Sequence, residues 1–263
     1  MKRPSKSRQW IMSVIIISVI CVLKLSLLAG QSPAESLQSI EIPFYSSNAQ
    51  IIRHSAYVLK YSEEHEQAEW VAYKLTAGDL RGGIKRTNNF RADSSVKTGS
   101  ASLSDYKGSG YDRGHLVPAA DMKRSRTTMS ESFYMSNMSP QRPGFNRGIW
   151  KRLEEQVRSW VYQNEELYIV TAGILQCGLT TIGPNRVSVP RFYYKAILDY
   201  REPGLKGIAF ILPNKKSNNS LKAYVVSIDL LEEITGIDFF PALPDNIEEN
   251  IESSLDISRW PFD

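Results

Sequence analysis

A single α+β domain, with strands set around one long central helix, is what the sequence predicts. Short segments rich in β-branched and aromatic residues lie on both sides of one long stretch with helical spacing. They do not alternate with helices in the strand, helix, strand series of a parallel sheet. At 263 residues the chain has room for one large domain or two small ones, and no internal repeat or low-complexity tract divides it.

The first 34 residues open with a basic head (Lys2, Arg3, Lys6, Arg8), continue as an apolar run from Trp10 to Leu23 and end in small residues. This is the layout of a secretory signal, with cleavage expected after Gly30 or Ala34. The run is short for a membrane span of about 20 apolar residues, and Lys24 interrupts it. The expectation is a secreted or periplasmic protein, with residues 10–29 a membrane anchor if the segment stays uncleaved. Residues 35–50, in a stretch rich in Ser, Gln and Pro, read as a linker, and residues 51–263 as the folded domain.

Within that domain AYVLKY and WVAYKL alternate around the charged SEEHEQAE, the pattern of a hairpin. NRGIWKRLEEQVRSWVYQ places Trp150, Leu153, Val157, Trp160 and Val161 on one helical face. RFYYKAILDY, KGIAFILPN and AYVVSID are further strand candidates, and DLLEEIT is a short helix closed by Gly236.

Global charge does not argue for a polyanionic partner. The chain carries 32 Lys+Arg against 28 Asp+Glu, but five bases and no acid fall in residues 1–34, so the remainder is close to neutral. Local charge is more telling. From Asp105 to Arg158 ten bases oppose six acids, whereas from Asp229 onward only Arg259 opposes ten acids. The middle of the chain could face a polyanion and the tail would repel one. Cys21 lies in the signal and leaves Cys177 alone, so no internal disulfide is expected and stability must come from the core.

Chemistry concentrates in GYDRGHLVPAADM, residues 110–122. His115 is one of three histidines, and a histidine near its ordinary pKa of about 6.5 is the usual general base at neutral pH. Arg113 favours the neutral imidazole and, two residues away on extended backbone, projects to the same face, where its fork could grip two phosphate oxygens. The plainer alternative is a buried structural histidine beside an arginine paired with Asp112 or Asp121. Downstream, Asn146 stands at the start of the long helix, as an N-cap or as a hard oxygen ligand suited to Mg²⁺. Glu154 flanks the apolar seam, either as a ligand or as a surface carboxylate paired with Arg158, while Glu155 points to solvent. Eight residues of continuous helix rise about 12 Å, so the two could not both touch one ion directly. Asn137, in the bend before Pro140, could orient a phosphate or complete a turn.

Taken together, DRGHLVPAADM, ESFYMSNMSPQ and FNRGIWKRLEEQV resemble the DNA/RNA non-specific endonuclease family, the sugar-non-specific nucleases with a ββα-metal core. The resemblance runs in order and spacing from about Arg53 to Phe240. It implies a central, mostly antiparallel sheet and a His115 strand and loop packed on the Asn146 helix. It further implies His115 as general base, Asn146 as ligand of a single Mg²⁺ (Mn²⁺ or another divalent cation could substitute) and Glu154 as a water-mediated partner of that ion. Arg113 and Asn137 would support the phosphate and the site geometry. The family also has an arginine just before an upstream aromatic; here Asn88 matches it, with Arg86 and Arg91 close by, and Arg86 is the substrate-binding candidate.

A water nucleophile needs no ribose 2′-hydroxyl, so DNA and RNA are both expected substrates. Two competitors remain. A metal-free ribonuclease would want a second acid/base group, for which His54 and His65 are poorly placed. An inactive exported nucleic-acid-binding protein of the same fold would need bases and aromatics but not the full set of His115, Asn146 and Glu154.

Overall fold

The structure, a computed structural model, describes residues 39–262, so the segment read as a signal or anchor lies outside the described residues. In chain order the strands are β1 (Gln50–Arg53), β2 (Val58–Ser62), β3 (Gln67–Thr76), β4 (Asp112–His115), β5 (Met138–Gln141), β6 (Glu166–Gly173), β7 (Thr181–Ile182), β8 (Val187–Ser188), β9 (Phe192–Asp199), β10 (Lys206–Pro213) and β11 (Val225–Val226). Seven of them form one sheet in the order β1-β2-β3-β6-β9-β10-β11, with every neighbouring pair antiparallel. β4 with β5 and β7 with β8 make two separate ribbons. The helices are α1 (Ala77–Leu80), α2 (Leu103–Tyr106), α3 (Arg126–Glu131), α4 (Lys151–Asn164), α5 (Ile228–Thr235) and α6 (Asp245–Ser253). The α+β class and the central antiparallel sheet are as expected. No helix among the described residues is long and apolar enough to cross a membrane.

Both faces of the sheet are covered, which explains why β9 and β10 read as nearly continuous apolar runs. On β10, Phe210 stacks against Trp160 of α4, with ring centroids 6.1 Å apart. Gly207, three residues earlier and therefore on the opposite face, receives Ile228 of α5 and Ile251 of α6. The predicted seam of α4 (Leu153, Val157, Trp160, Val161) is buried, together with Trp150. The chain end closes over the same helix: Trp160 Nε1 donates to the Pro261 carbonyl at 2.6 Å, and Trp260 and Phe262 pack edge-on against its ring.

Four expectations change. AYVVSID contributes only Val225 and Val226 to the sheet, because Ser227 caps α5 by accepting from the Leu230 N–H at 3.2 Å and turns the chain into a helix. β6, in the middle of the sheet, and α6 were not anticipated. Nor is all of residues 35–50 a linker: Ile42 is buried in the core, Tyr45 packs on Trp70, and the Phe44 N–H donates to the Asp238 carbonyl at 3.0 Å. Four adjacent apolar residues, Ile42 to Tyr45 with Pro43 among them, overcome the polar composition around them.

Candidate active site

The ribbon of β4 and β5 fixes the start of the site. It pairs Asp112 with Gln141, Arg113 with Pro140, Gly114 with Ser139 and His115 with Met138. Gly114 is required there, since a Cβ would fall 2.2 Å from the side chain of Gln141, which is wholly buried. That close approach is why a glycine separates the arginine from the histidine. Beyond His115 the chain is clipped by Asn137, whose Oδ1 accepts from the Val117 N–H at 2.9 Å and whose Nδ2 donates to the carbonyls of Val117 and Ser132 at 3.0 and 2.8 Å. Asn137 is wholly buried and spends its amide on backbone groups. It therefore secures the loop that carries His115: of the two roles open to it, its hydrogen bonds match the one that shapes the backbone.

His115 sits between two aromatic rings, 5.6 Å from Phe90 and edge-on to Phe133 at 4.9 Å. Each ring carries an arginine on its face: the Arg113 guanidinium lies 4.2 Å from the Phe90 centroid and that of Arg86 4.8 Å from Phe133. The arrangement aims two cations at the space beside the imidazole while tying down their long side chains. Arg86 is held further by its Nε donating to Asn88 Oδ1 at 2.6 Å. Burial, then Arg86 and Arg113, push the His115 pKa down to about 3, so the ring is neutral at physiological pH. Nε2 is buried without a partner. The other nitrogen, Nδ1, makes no hydrogen bond among the described residues and is the one left for the cleft.

Asn146 is held from the opposite side. Its Nδ2 donates to Asp112 Oδ2 at 2.9 Å, and Arg147 grips the same carboxylate with Nε at 2.9 Å and Nη2 at 2.6 Å. With its nitrogen engaged, Oδ1 is the group that Asn146 offers outward. Asn146 is not an N-cap: it lies inside a six-residue helical turn, Phe145–Trp150, that is broken at Gly148 (φ −111°, ψ −109°) before α4 begins. The 12 Å rise of an unbroken helix therefore does not separate it from Glu154.

Glu154 is not a surface carboxylate paired with Arg158. Arg158 instead donates to Asp121 Oδ1 at 2.9 Å, and Asp121 also accepts from the Tyr73 hydroxyl at 3.1 Å. Burial pushes the Glu154 carboxyl up, with Lys195 as the main opposing influence. Lys195 is itself buried on β9, over the Trp150 ring at 4.7 Å, with Nζ donating to Thr171 Oγ1 at 3.2 Å. Register puts these groups together, since Lys195 pairs directly with Thr171. Glu155 is exposed and pairs with Lys151, as expected.

Arg86, Arg113, His115, Asn146, Glu154 and Arg158 line one open cleft of about 430 Å³. Arg91 does not; it lies over Tyr134 and donates to the Ser130 carbonyl. His54 and His65 are committed elsewhere, to Asp93 and Ser188, each at 2.9 Å. Asp112, Arg158 and Lys195 were not anticipated as site residues. A lysine in the middle of an apolar strand was the signal for Lys195. In the sequence Asp112 and Arg158 each read only as half of an ordinary ion pair. The outward carboxamide of Asn146 and the carboxylate of Glu154, which forms no hydrogen bond or ion pair among the described residues, make an oxygen-only donor set that fits a hard divalent cation.

Residues 36–246 match the model of the family described as DNA/RNA non-specific endonuclease. The chain is 39% identical over 212 residues to a nuclease of Nostoc sp., covering 76% of each chain. It is 33% identical over 208 residues to mitochondrial endonuclease G of Homo sapiens, covering 73% of this chain and 70% of that one. A solved structure described as the EndoG/EndoGI complex superposes with a TM-score of 0.70 at 29% identity, over 76% of this chain and 89% of the other. Motif, cleft, fold and relatives converge, and the chain belongs to the DNA/RNA non-specific endonuclease family.

Proposed function

We propose that the protein hydrolyses phosphodiester bonds in both DNA and RNA, with His115 as general base and a divalent cation, Mg²⁺ by preference, held by Asn146 with Glu154. The observation that carries this reading is the neutral imidazole between two ring-mounted arginines, opening on the cleft that Asn146 and Glu154 share. His115 Nδ1 takes a proton from a water that attacks phosphorus. Arg113 and Arg86 bind the non-bridging oxygens and offset charge that develops on them. When bound, the cation supplies Lewis-acid stabilisation of the leaving 3′ oxygen. Asp112 keeps the Asn146 oxygen turned outward, and Asn137 keeps the His115 loop in register. Among the described residues no element resembles a groove-reading helix, so backbone contacts dominate and activity falls steeply with salt.

The amino-terminal segment supports export of this nuclease, by cleavage or by anchoring. The ribonuclease reading lacks a second acid/base histidine in the cleft. The binding-only reading gives no role to an oriented carboxamide beside a general base. Digestion of plasmid DNA and of RNA by the purified protein, wild type beside His115→Ala, across a divalent metal series and in EDTA, tests the proposal. Cleavage of both substrates only with metal and only by wild type supports it. RNA cleavage that persists in EDTA overturns it.

A further inference from the structure

Away from the cleft, three carboxylates from the last two helices face one another. One oxygen each of Asp229, Glu232 and Glu252 lies within 4.8 Å of the others. The packing that brings them together starts at Gly207, where a Cβ would fall 2.6 Å from Ile228 and 2.7 Å from Ile251. Without it, β10 takes both isoleucines against its backbone and draws α5 and α6 together. Each isoleucine is followed by an acid, Asp229 and Glu252, and Glu232 lies on the same face one turn along α5.

Glu252 is the member that points to a ligand. It is 6% exposed, its Oε1 is buried with no hydrogen-bond partner, and neither oxygen forms an ion pair among the described residues. A buried carboxylate without a partner is costly, because desolvation is uncompensated. The charges acting on it from the surrounding elements are all acids: Glu232, Glu248, Asp238 and Asp229. Burial and this surround push its carboxyl up to about 9 and that of Glu232 up to about 7. In the cleft, by contrast, buried acids face Lys195 and Arg158.

We propose that Asp229, Glu232 and Glu252 form a second divalent-cation site, separate from the cleft and suited to Ca²⁺. Ca²⁺ binds six to eight oxygens at about 2.3–2.6 Å in flexible geometry, so ligands on opposite sides of it stand about 4.6–5.2 Å apart. Three oxygens within 4.8 Å of one another can share one such ion, whose flexible geometry tolerates uneven ligand spacing. Asp229 is exposed, which leaves room for waters to complete the shell. The ion would bind α5 to α6 and so secure the carboxyl-terminal helices on β10; its role is in stability, not turnover.

The test uses the full chain carrying Asn146→Ala and Glu154→Gln, so that Ca²⁺ in the cleft contributes nothing. Calorimetric titration of EDTA-stripped protein with CaCl₂ should show one Ca²⁺ per chain, and Tm should rise with Ca²⁺ concentration. Adding Glu252→Gln should abolish both signals and raise Tm in EDTA. Asp229→Asn, at an exposed position that spares folding, should weaken binding by about 10- to 100-fold or more. In the otherwise wild-type chain, Glu252→Gln should leave nuclease activity at saturating Mg²⁺ unchanged. The proposal is overturned if the Ca²⁺ shift survives Glu252→Gln or is left undiminished by Asp229→Asn. It is equally overturned if no shift occurs and infrared spectra show a protonated carboxylic acid that disappears with Glu252→Gln, because the acids then share a proton instead of an ion.

Discussion

The cleft and the carboxyl-terminal corner both bury carboxylates and treat them in opposite ways. In the cleft, Asp121 is paired with Arg158 and accepts from Tyr73, and Glu154 has Lys195 behind it. At the corner, Glu252 meets only Glu232, Glu248, Asp238 and Asp229. Burial raises the carboxyl pKa in both places, but only the cleft supplies protein cations against it. The difference teaches that a buried acid with its own cation is part of a fixed scaffold, whereas one without is poised to take a cation or a proton from outside. The cleft combines the two modes: Lys195 and Arg158 hold its floor, while the outward oxygen of Asn146 stays available.

The largest effect is expected from removing the proposed base. His115→Ala should lower turnover by about 10²- to 10⁴-fold, the usual contribution of a positioned base, while leaving the unfolding transition and nucleic-acid retention on a gel almost unchanged. A parallel loss of DNA binding would mean that the histidine positions the arginines and does not act on water. Next in size is Lys195→Met, which keeps the aliphatic packing on Trp150 but leaves Glu154 and Asp121 short of a cation. Stripping one partner from a buried charge set costs about 3–5 kcal/mol, readable as a fall in the urea midpoint at pH 7. The sign with pH follows from Glu154. Its folded pKa is already raised and rises further without the lysine, so the variant loses stability as pH climbs and recovers part of it at pH 5. Equal losses at pH 5 and pH 8 would show that Lys195 acts through packing alone.

At the corner the same reasoning predicts an opposite response to substitution. The folded pKa of Glu252 is raised to about 9, above an unfolded value of about 4.3, so the folded state holds the proton more tightly. Its contribution to stability is complete below about pH 4.3 and is lost as pH rises toward 9. In EDTA, Glu252→Gln should therefore stabilise the protein at pH 8 by roughly 1–3 kcal/mol, the scale of an unsatisfied buried group, and have little effect at pH 4.5. Thermal melts across that range measure it; a destabilisation at pH 8 would show that the carboxylate already has an intramolecular partner.

How much of this was legible in the sequence follows the same division. His115, Arg113, Asn146 and Glu154 were legible because their chemistry sits in local motifs, and the α4 seam because helical periodicity is a local property. Arg86 could be named but not distinguished from Arg91, since only the third dimension mounts one guanidinium on Phe133 and turns the other onto Tyr134. Lys195 and the acidic corner depend on sheet register and on the convergence of two helices at Gly207, which join residues far apart in the chain. β6 was missed because it follows α4 after the single residue Glu165, which reverses the chain at φ 65°, so the strand begins with no conventional turn signal. The two roles open to Asn137 were indistinguishable for a related reason: its partners are backbone groups at positions 117 and 132, and a sequence displays side chains.

The smallest expected effect separates two neighbours on one helix. Glu155 and Glu154 are the same residue type one position apart, and helical geometry turns one to solvent and the other into the cleft. Glu155 pairs with Lys151 at 3.5 Å with both side chains more than half exposed. Water and salt screen such a pair, so Glu155→Gln should cost only about 0.3–0.5 kcal/mol, vanishing in high salt, with turnover preserved. Glu154→Gln keeps shape and hydrogen-bonding capacity but removes the charge that faces Lys195 and that the proposed mechanism assigns to the cation. Activity should fall by about 10- to 100-fold, with part of the loss recovered at higher metal concentration. Measuring kcat against metal concentration for the two variants side by side decides whether position on the helix, and not acidity in general, is what the reaction uses.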